Sequence, residues 1–145
     1  MNPYMEEALA EARLAAGEEE IPVGAVVVEN GVIVGRGHNR REATFRISSH
    51  AEIEALEEAA KAKGTWNLKG CSLYVTLEPC LMCFAACKQS RLSSIVFGAD
   101  DPQEGAFSAY HMNPPSFQLV YRGEAKGEAE ALLSSFFAKL RDSKE

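Results

Sequence analysis

The chain has 145 residues, 46% of them hydrophobic and 25% charged, the balance of an ordinary globular domain. Such a length folds without disulfide staples, and no apolar run approaches the ~20 residues that span a bilayer. A net charge of −6 argues against a general nucleic-acid binder, whose phosphate contacts need clustered Lys and Arg.

MNPYMEEALAEARLAAGEEE opens the chain. It is acidic and amphipathic, unlike a signal peptide, and the expected compartment is the cytoplasm. Met5, Ala8, Leu9, Ala12 and Ala16 recur at helical spacing and predict a helix that stops at Gly17. In PVGAVVVENGVIVGRGHN, two Val/Ile-rich runs joined at Asn30-Gly31 predict a β-hairpin. A second helix is predicted from about Ser49 to Lys63, ending at Gly64. Cys71–Leu77 reads as a strand, Pro79 to about Ser90 as a helix with proline at its first position, and Ser93–Ala99 as another strand. Asp100–Ser116, rich in Pro, Gly and Asn, reads as loop with a short helical turn. Phe117–Gly123 is predicted as a fifth strand and Glu124–Leu140 as an amphipathic helix.

Strands joined through helices imply parallel neighbours with right-handed crossovers, and the initial hairpin makes the sheet mixed. The expectation is one domain over residues 1–145, an α/β fold. Helices covering both faces of a mixed five-stranded sheet would make it a three-layer α/β/α sandwich.

Two short stretches carry chemistry. In SSHAEIEAL, Ser49 to Glu52 reads S-x-x-E, a capping box in which Glu52 merely satisfies a backbone N–H. The same stretch reads H-x-E, half of a zinc-hydrolytic signature. In EPCLMC, Cys80 and Cys83 stand at i and i+3 on one helix face. Both are expected in a first turn, where the dipole and free N–H groups favour thiolates. Ligands of open α/β sheets collect at the carboxyl ends of strands, where the following helices start. His50, Cys80 and Cys83 are therefore expected to meet there around a zinc ion. Three protein ligands leave a fourth position for water, whose pKa zinc lowers to about 7. Glu52 is not needed as a ligand and is the candidate catalytic residue, general base and then general acid. Cys71 and Cys87 read as buried packing cysteines, His38 as structural or pocket-lining, and His111 is given no role.

The combined H-A-E and P-C-x-x-C motif does not stand alone. With IPVGAVVV (Ile21–Val28), GRGHNRRE (Gly35–Glu42), the run from Trp66 to Cys83, SRLSSIVFGADDP (Ser90–Pro102) and the closing LLSSFFAKLR, it resembles the zinc-dependent cytidine deaminase superfamily. Within that superfamily it looks most like the bacterial tRNA adenosine deaminases. The resemblance implies a cytidine deaminase-like fold and one zinc per chain, held by His50, Cys80 and Cys83, with Glu52 moving protons. It implies substrate binding by Asn39 and by backbone groups near Ala51 and Glu78. The implied reaction attacks C6 of adenine and leaves inosine at the wobble position of the tRNA anticodon arm, where the base is already unpaired. It further implies a homodimer.

The chain departs from that pattern in four places. Arg46-Ile47-Ser48-Ser49 replaces a D-P-T-A-like stretch, and Gln103 stands where Lys is frequent. Residues 107–117 form a shortened segment without Asn-His-Arg, and the tail LRDSKE lacks a basic extension. All four lie where an RNA would be held. Deamination of a free base or nucleoside (guanine, cytosine or a related amino-heterocycle) is the alternative, and a non-catalytic zinc module is a third reading.

Overall fold

Asn30 and Gly31 both take positive φ, 50° and 79°, the conformation that a tight hairpin turn demands. They join β1 (Gly24–Glu29) to β2 (Val32–His38) in antiparallel register, Gly24 opposite His38. The computed structural model describes residues 1–143 of the chain. β1 also pairs antiparallel with β3 (Ser72–Leu77). β3, β4 (Ser94–Ala99) and β5 (Leu119–Arg122) then run parallel, giving the order β2-β1-β3-β4-β5. The sheet is mixed and five-stranded, as the element order predicts.

Helices close both faces. α1 (Pro3–Gly17) lies on β1, β2 and β3 and meets α5 (Lys126–Asp142), which lies on β3 and β4. Asn2 caps α1, its Oδ1 accepting from the N–H groups of Tyr4 and Met5. On the other face, α3 (Ala51–Lys63) covers β1 and β2 and touches α4 (Leu81–Gln89). Leu73, Val75, Ile95 and Phe97 of the strands form one core with Ala55 and Ala59 of α3 and Phe84 and Cys87 of α4.

β2 presents Gly35 and Gly37 to α3. A Cβ on Gly35 would lie 2.3 Å from the Ala55 carbonyl, and one on Gly37 would lie 2.8 Å from the Ala51 carbonyl. The helix rests on bare strand backbone, closer than any side chain permits.

The boundaries differ from the sequence reading in informative places. Gly17 lies inside α1, whose cap is Glu18. A short helix, α2 (Arg41–Thr44), was not anticipated. Its first turn is held by Glu20, a buried carboxylate accepting from Glu42 N–H at 3.0 Å and Ala43 N–H at 2.8 Å. The cap thus arrives from a remote segment, which no local pattern reveals. α3 begins one residue past His50, α4 begins at Leu81 rather than Pro79, and β5 is trimmed at both ends. No helix among the described residues is long and apolar enough to cross a membrane.

Candidate metal centre and active site

β2 leads through α2 into α3 and β3 leads into α4, and the starts of α3 and α4 converge. His50 is the N-cap residue of α3 and Cys80 that of α4, while Cys83 sits in the first turn of α4. Only Cys83 therefore occupies a first helical turn, a correction to the expectation for the pair. His50 Nδ1 is 3.6 Å from Cys80 Sγ and 3.5 Å from Cys83 Sγ. All three donor atoms lie within 4.8 Å of one another, and these residues form the one such cluster among the described residues. A tetrahedral zinc bound at about 2.3 Å to sulfur and about 2.0 Å to nitrogen would separate N and S by about 3.5 Å. The observed spacings match, and the soft donor set suits zinc.

The ionisation of the cluster has a clear order. The Cys83 thiol donates to Cys80 and, despite burial, brings the Cys80 pKa down to about 4, with His50 adding to the effect. The same bond, together with burial, pushes the Cys83 thiol up. The hydrogen bond with Cys80 raises His50. A metal ligated by both sulfurs displaces the retained proton, so binding is coupled to proton release.

Glu52 decides between cap and catalyst. With His50 at the N-cap, Glu52 is the second residue of α3, one short of the capping-box position. Ser49 does not cap either; its hydroxyl donates to Glu54 Oε1. The capping-box reading of Ser49 and Glu52 fails because the helix starts one residue later than the motif requires. Glu52 is instead 3% exposed, and burial pushes its carboxyl up to about 7. Such a group both accepts and returns a proton near neutral pH.

His50, Glu52 and Cys80 line a pocket of about 420 Å³, shared with Asn39, Ala51 and Glu78. Every residue singled out for this site in the sequence lines the pocket except Cys83, which is fully buried and joins the site through the donor cluster. Asn39 Oδ1 accepts from the Arg41 N–H at 3.2 Å, which fixes the amide at the pocket wall. Arg41, not singled out from the sequence, also lines the pocket, its Nη1 3.4 Å from His50 Nε2. Cys71 and Cys87 are buried away from the cluster, as their bland reading anticipated. His38 is structural: Glu11 and Glu18 each hold one ring nitrogen at 2.9 Å.

Glu78 does more than offer backbone to the pocket. Its carboxylate accepts from Asp101 N–H (3.0 Å), Phe107 N–H (2.9 Å) and Ser108 N–H (2.8 Å), and from the Ser108 hydroxyl. Burial opposes its ionisation, but these donors outweigh burial and hold the pKa below the ordinary carboxylate value. The anchored segment seats Phe107 against Phe84, ring centroids 5.0 Å apart, and Phe97, at 6.0 Å. Glu78→Gln turns an amide N–H₂ toward donors and is expected to cost about 2–4 kcal/mol. A depressed folded pKa stabilises above the ordinary carboxylate range, and the benefit fades as pH falls through the folded value. Wild type and Glu78→Gln should therefore converge in acid, as denaturant titrations at several pH values will read.

The model for the cytidine and deoxycytidylate deaminase zinc-binding region matches residues 1–99, a span that includes His50, Glu52, Cys80 and Cys83. The chain belongs to this deaminase family. Among relatives of this deaminase, the tRNA-specific adenosine deaminase of Bacillus subtilis (strain 168) is 46% identical, over 97% of this chain and 91% of its own. That of Aquifex aeolicus (strain VF5) is 39% identical, over 97% and 95%. A solved structure from work on A-to-I editing by tRNA:A34 deaminases at the wobble position superposes with a TM-score of 0.85 at 37% identity, covering 92% of this chain and all of that one. The guanine deaminase from Nitrosomonas europaea superposes at 0.81 and 27% identity, covering 93% and 83%. The fold neighbours confirm the expected cytidine deaminase-like architecture.

Proposed function

We propose that this deaminase hydrolyses adenosine to inosine at the wobble position of a tRNA anticodon arm, with residues 1–145 acting as one zinc-dependent domain. The observation that carries the reading is the buried Glu52 carboxylate beside the His50, Cys80 and Cys83 cluster, in a pocket able to take a flipped base. Near-full-length likeness to tRNA-specific adenosine deaminases selects the substrate.

His50, Cys80 and Cys83 hold one zinc per chain. When bound, zinc supplies the Lewis acidity that activates water at neutral pH. Asn39 and backbone groups at Ala51 and Glu78 orient the base, with its C6 toward the cluster. Glu52 takes a proton from the attacking water and delivers it to the departing nitrogen. One water is consumed, the C6–N bond breaks, and ammonia leaves. Glu52 ends the cycle in its starting state.

The protein works as a cytoplasmic homodimer. The free thiols suit a reducing compartment. Ile53, Leu56, Ala60 and Ala86, with Trp66 65% exposed, form an apolar groove across α3 and α4 that a second copy can cover.

The test is a substrate comparison. Purified protein should convert the wobble adenosine of an anticodon stem–loop to inosine, read by nuclease digestion and mass spectrometry. The likeness to guanine deaminase favours a second reading, action on a free base. Ammonia release from guanine or free adenosine, with no inosine in the RNA, would establish that second reading in place of the first.

A further inference from the structure

The catalytic pocket opens into a second groove of about 820 Å³, and the two share Ile21, Asn39, Arg41 and Ile47. Phe45 lines this groove, 89% exposed and at φ +59°. Two costs coincide there. A bulky residue at positive φ is strained, and an aromatic ring in water gains nothing from burial. The segment that carries the ring is nonetheless anchored. Glu20 grips it from below, through the N–H groups of Glu42 and Ala43. Thr44 Oγ1 donates to the Arg40 carbonyl and accepts from the Arg46 N–H.

The groove adjoins a pocket read as taking a base flipped from single-stranded RNA. Arg41 stands on the pocket side, and Arg46, loosely paired with Glu57 at 3.7 Å, stands on the other. Four glutamates also line the groove: Glu18 is engaged by His38 and Arg40 and Glu20 by the Glu42 and Ala43 N–H groups, while Glu19 and Glu42 accompany the two arginines, so the groove offers stacking rather than charge. An exposed ring on an anchored segment, in a groove continuous with a pocket for a flipped base, offers stacking for a neighbouring base.

We propose that Phe45 stacks on the base of a nucleotide next to the one deaminated, making the 41–47 segment the platform that orders the RNA at the pocket mouth. The proposal rests on the RNA-deaminase reading. It goes beyond the family resemblance, which places the stretch from Arg46 near the RNA but assigns no role to Phe45.

Kinetics on an anticodon stem–loop test it. Phe45→Ala should raise KM about tenfold with kcat within about twofold of wild type, and Phe45→Trp should restore KM. Removing the base from one neighbour of the target should raise KM for wild type but not for Phe45→Ala. Phe45→Gly relieves the backbone strain, so it should raise Tm by about 2–4 °C while sharing the KM defect. A wild-type KM in Phe45→Ala would overturn the platform and leave the tRNA reading intact. So would a change only in the dimer dissociation constant. Absence of inosine with wild-type protein would overturn both.

Discussion

Glu52→Gln protein is expected to fold, to retain its zinc and to lose about 10²–10⁴-fold in turnover, the usual contribution of a positioned general acid–base. The amide fills the same space in the pocket wall but cannot take up the proton of water. Turnover within tenfold of wild type would remove Glu52 from the proton path. The same variant has a second signature. Burial raises the Glu52 carboxyl from 4.5 to about 7, so the folded protein resists a charge that the unfolded chain accepts readily. Stability from a raised pKa is complete below about 4.5 and declines as pH rises toward 7. The shift corresponds to about 3 kcal/mol, an upper figure for a single buried group. Metal-free Glu52→Gln should therefore be more stable than metal-free wild type at pH 8, and the two should match near pH 4. Catalysis lost and stability gained by one substitution would mark Glu52 as a residue kept for chemistry at the expense of the fold.

Cys80→Ala is expected to abolish activity by abolishing metal binding. Loss of an outer-shell support costs roughly 10–100-fold in affinity, and loss of one ligand of three costs more. Zinc content after dialysis, measured by elemental analysis, should fall from one per chain to near background. Cys87→Ala is the control. Cys87 lies one turn beyond Cys83, is fully buried and stands outside the donor cluster. It should keep its zinc and lose only a little stability to the small cavity. Zinc retained by Cys80→Ala, or lost by Cys87→Ala, would reassign the ligands.

Much of this site was legible because its signals are local. His50 and Glu52 are two residues apart, Cys80 and Cys83 three, and each pair follows a recognisable β-element, the first by its Val/Ile content and the second as the run CSLYVTL. Asn30-Gly31 likewise announced its own turn. What escaped the sequence depends on partners far along the chain. Helix α2 exists because Glu20 reaches across to its first turn. The Glu78 side chain gains its role from donors at 101–108, residues that form no regular element. The capping box misled for a subtler reason. S-x-x-E is satisfied by four letters, whereas capping needs the helix to start at the first of them, and here it starts later. The departures at 103–117 looked like a loss of substrate contacts, yet this segment also fills the core with Phe107 and seals the Glu78 carboxylate.

The absent side chains of β2 have a consequence for the chemistry. A Cβ on Gly37 would meet Glu54 Cβ at 2.5 Å and the Ala51 carbonyl at 2.8 Å, in the first turn of the helix that carries His50 and Glu52. Any methyl group there must push the amino end of α3 off the sheet. His50 and Glu52 would then travel together away from Cys80 and Cys83, which ride on a separate helix. Misplacement of about 1 Å is enough to cost 10²-fold in rate. The distance between the two halves of the candidate site is thus gauged by strand backbone on the far side of the helix, so that an atom's absence there acts as the spacer that keeps His50 and Glu52 in reach of Cys80 and Cys83.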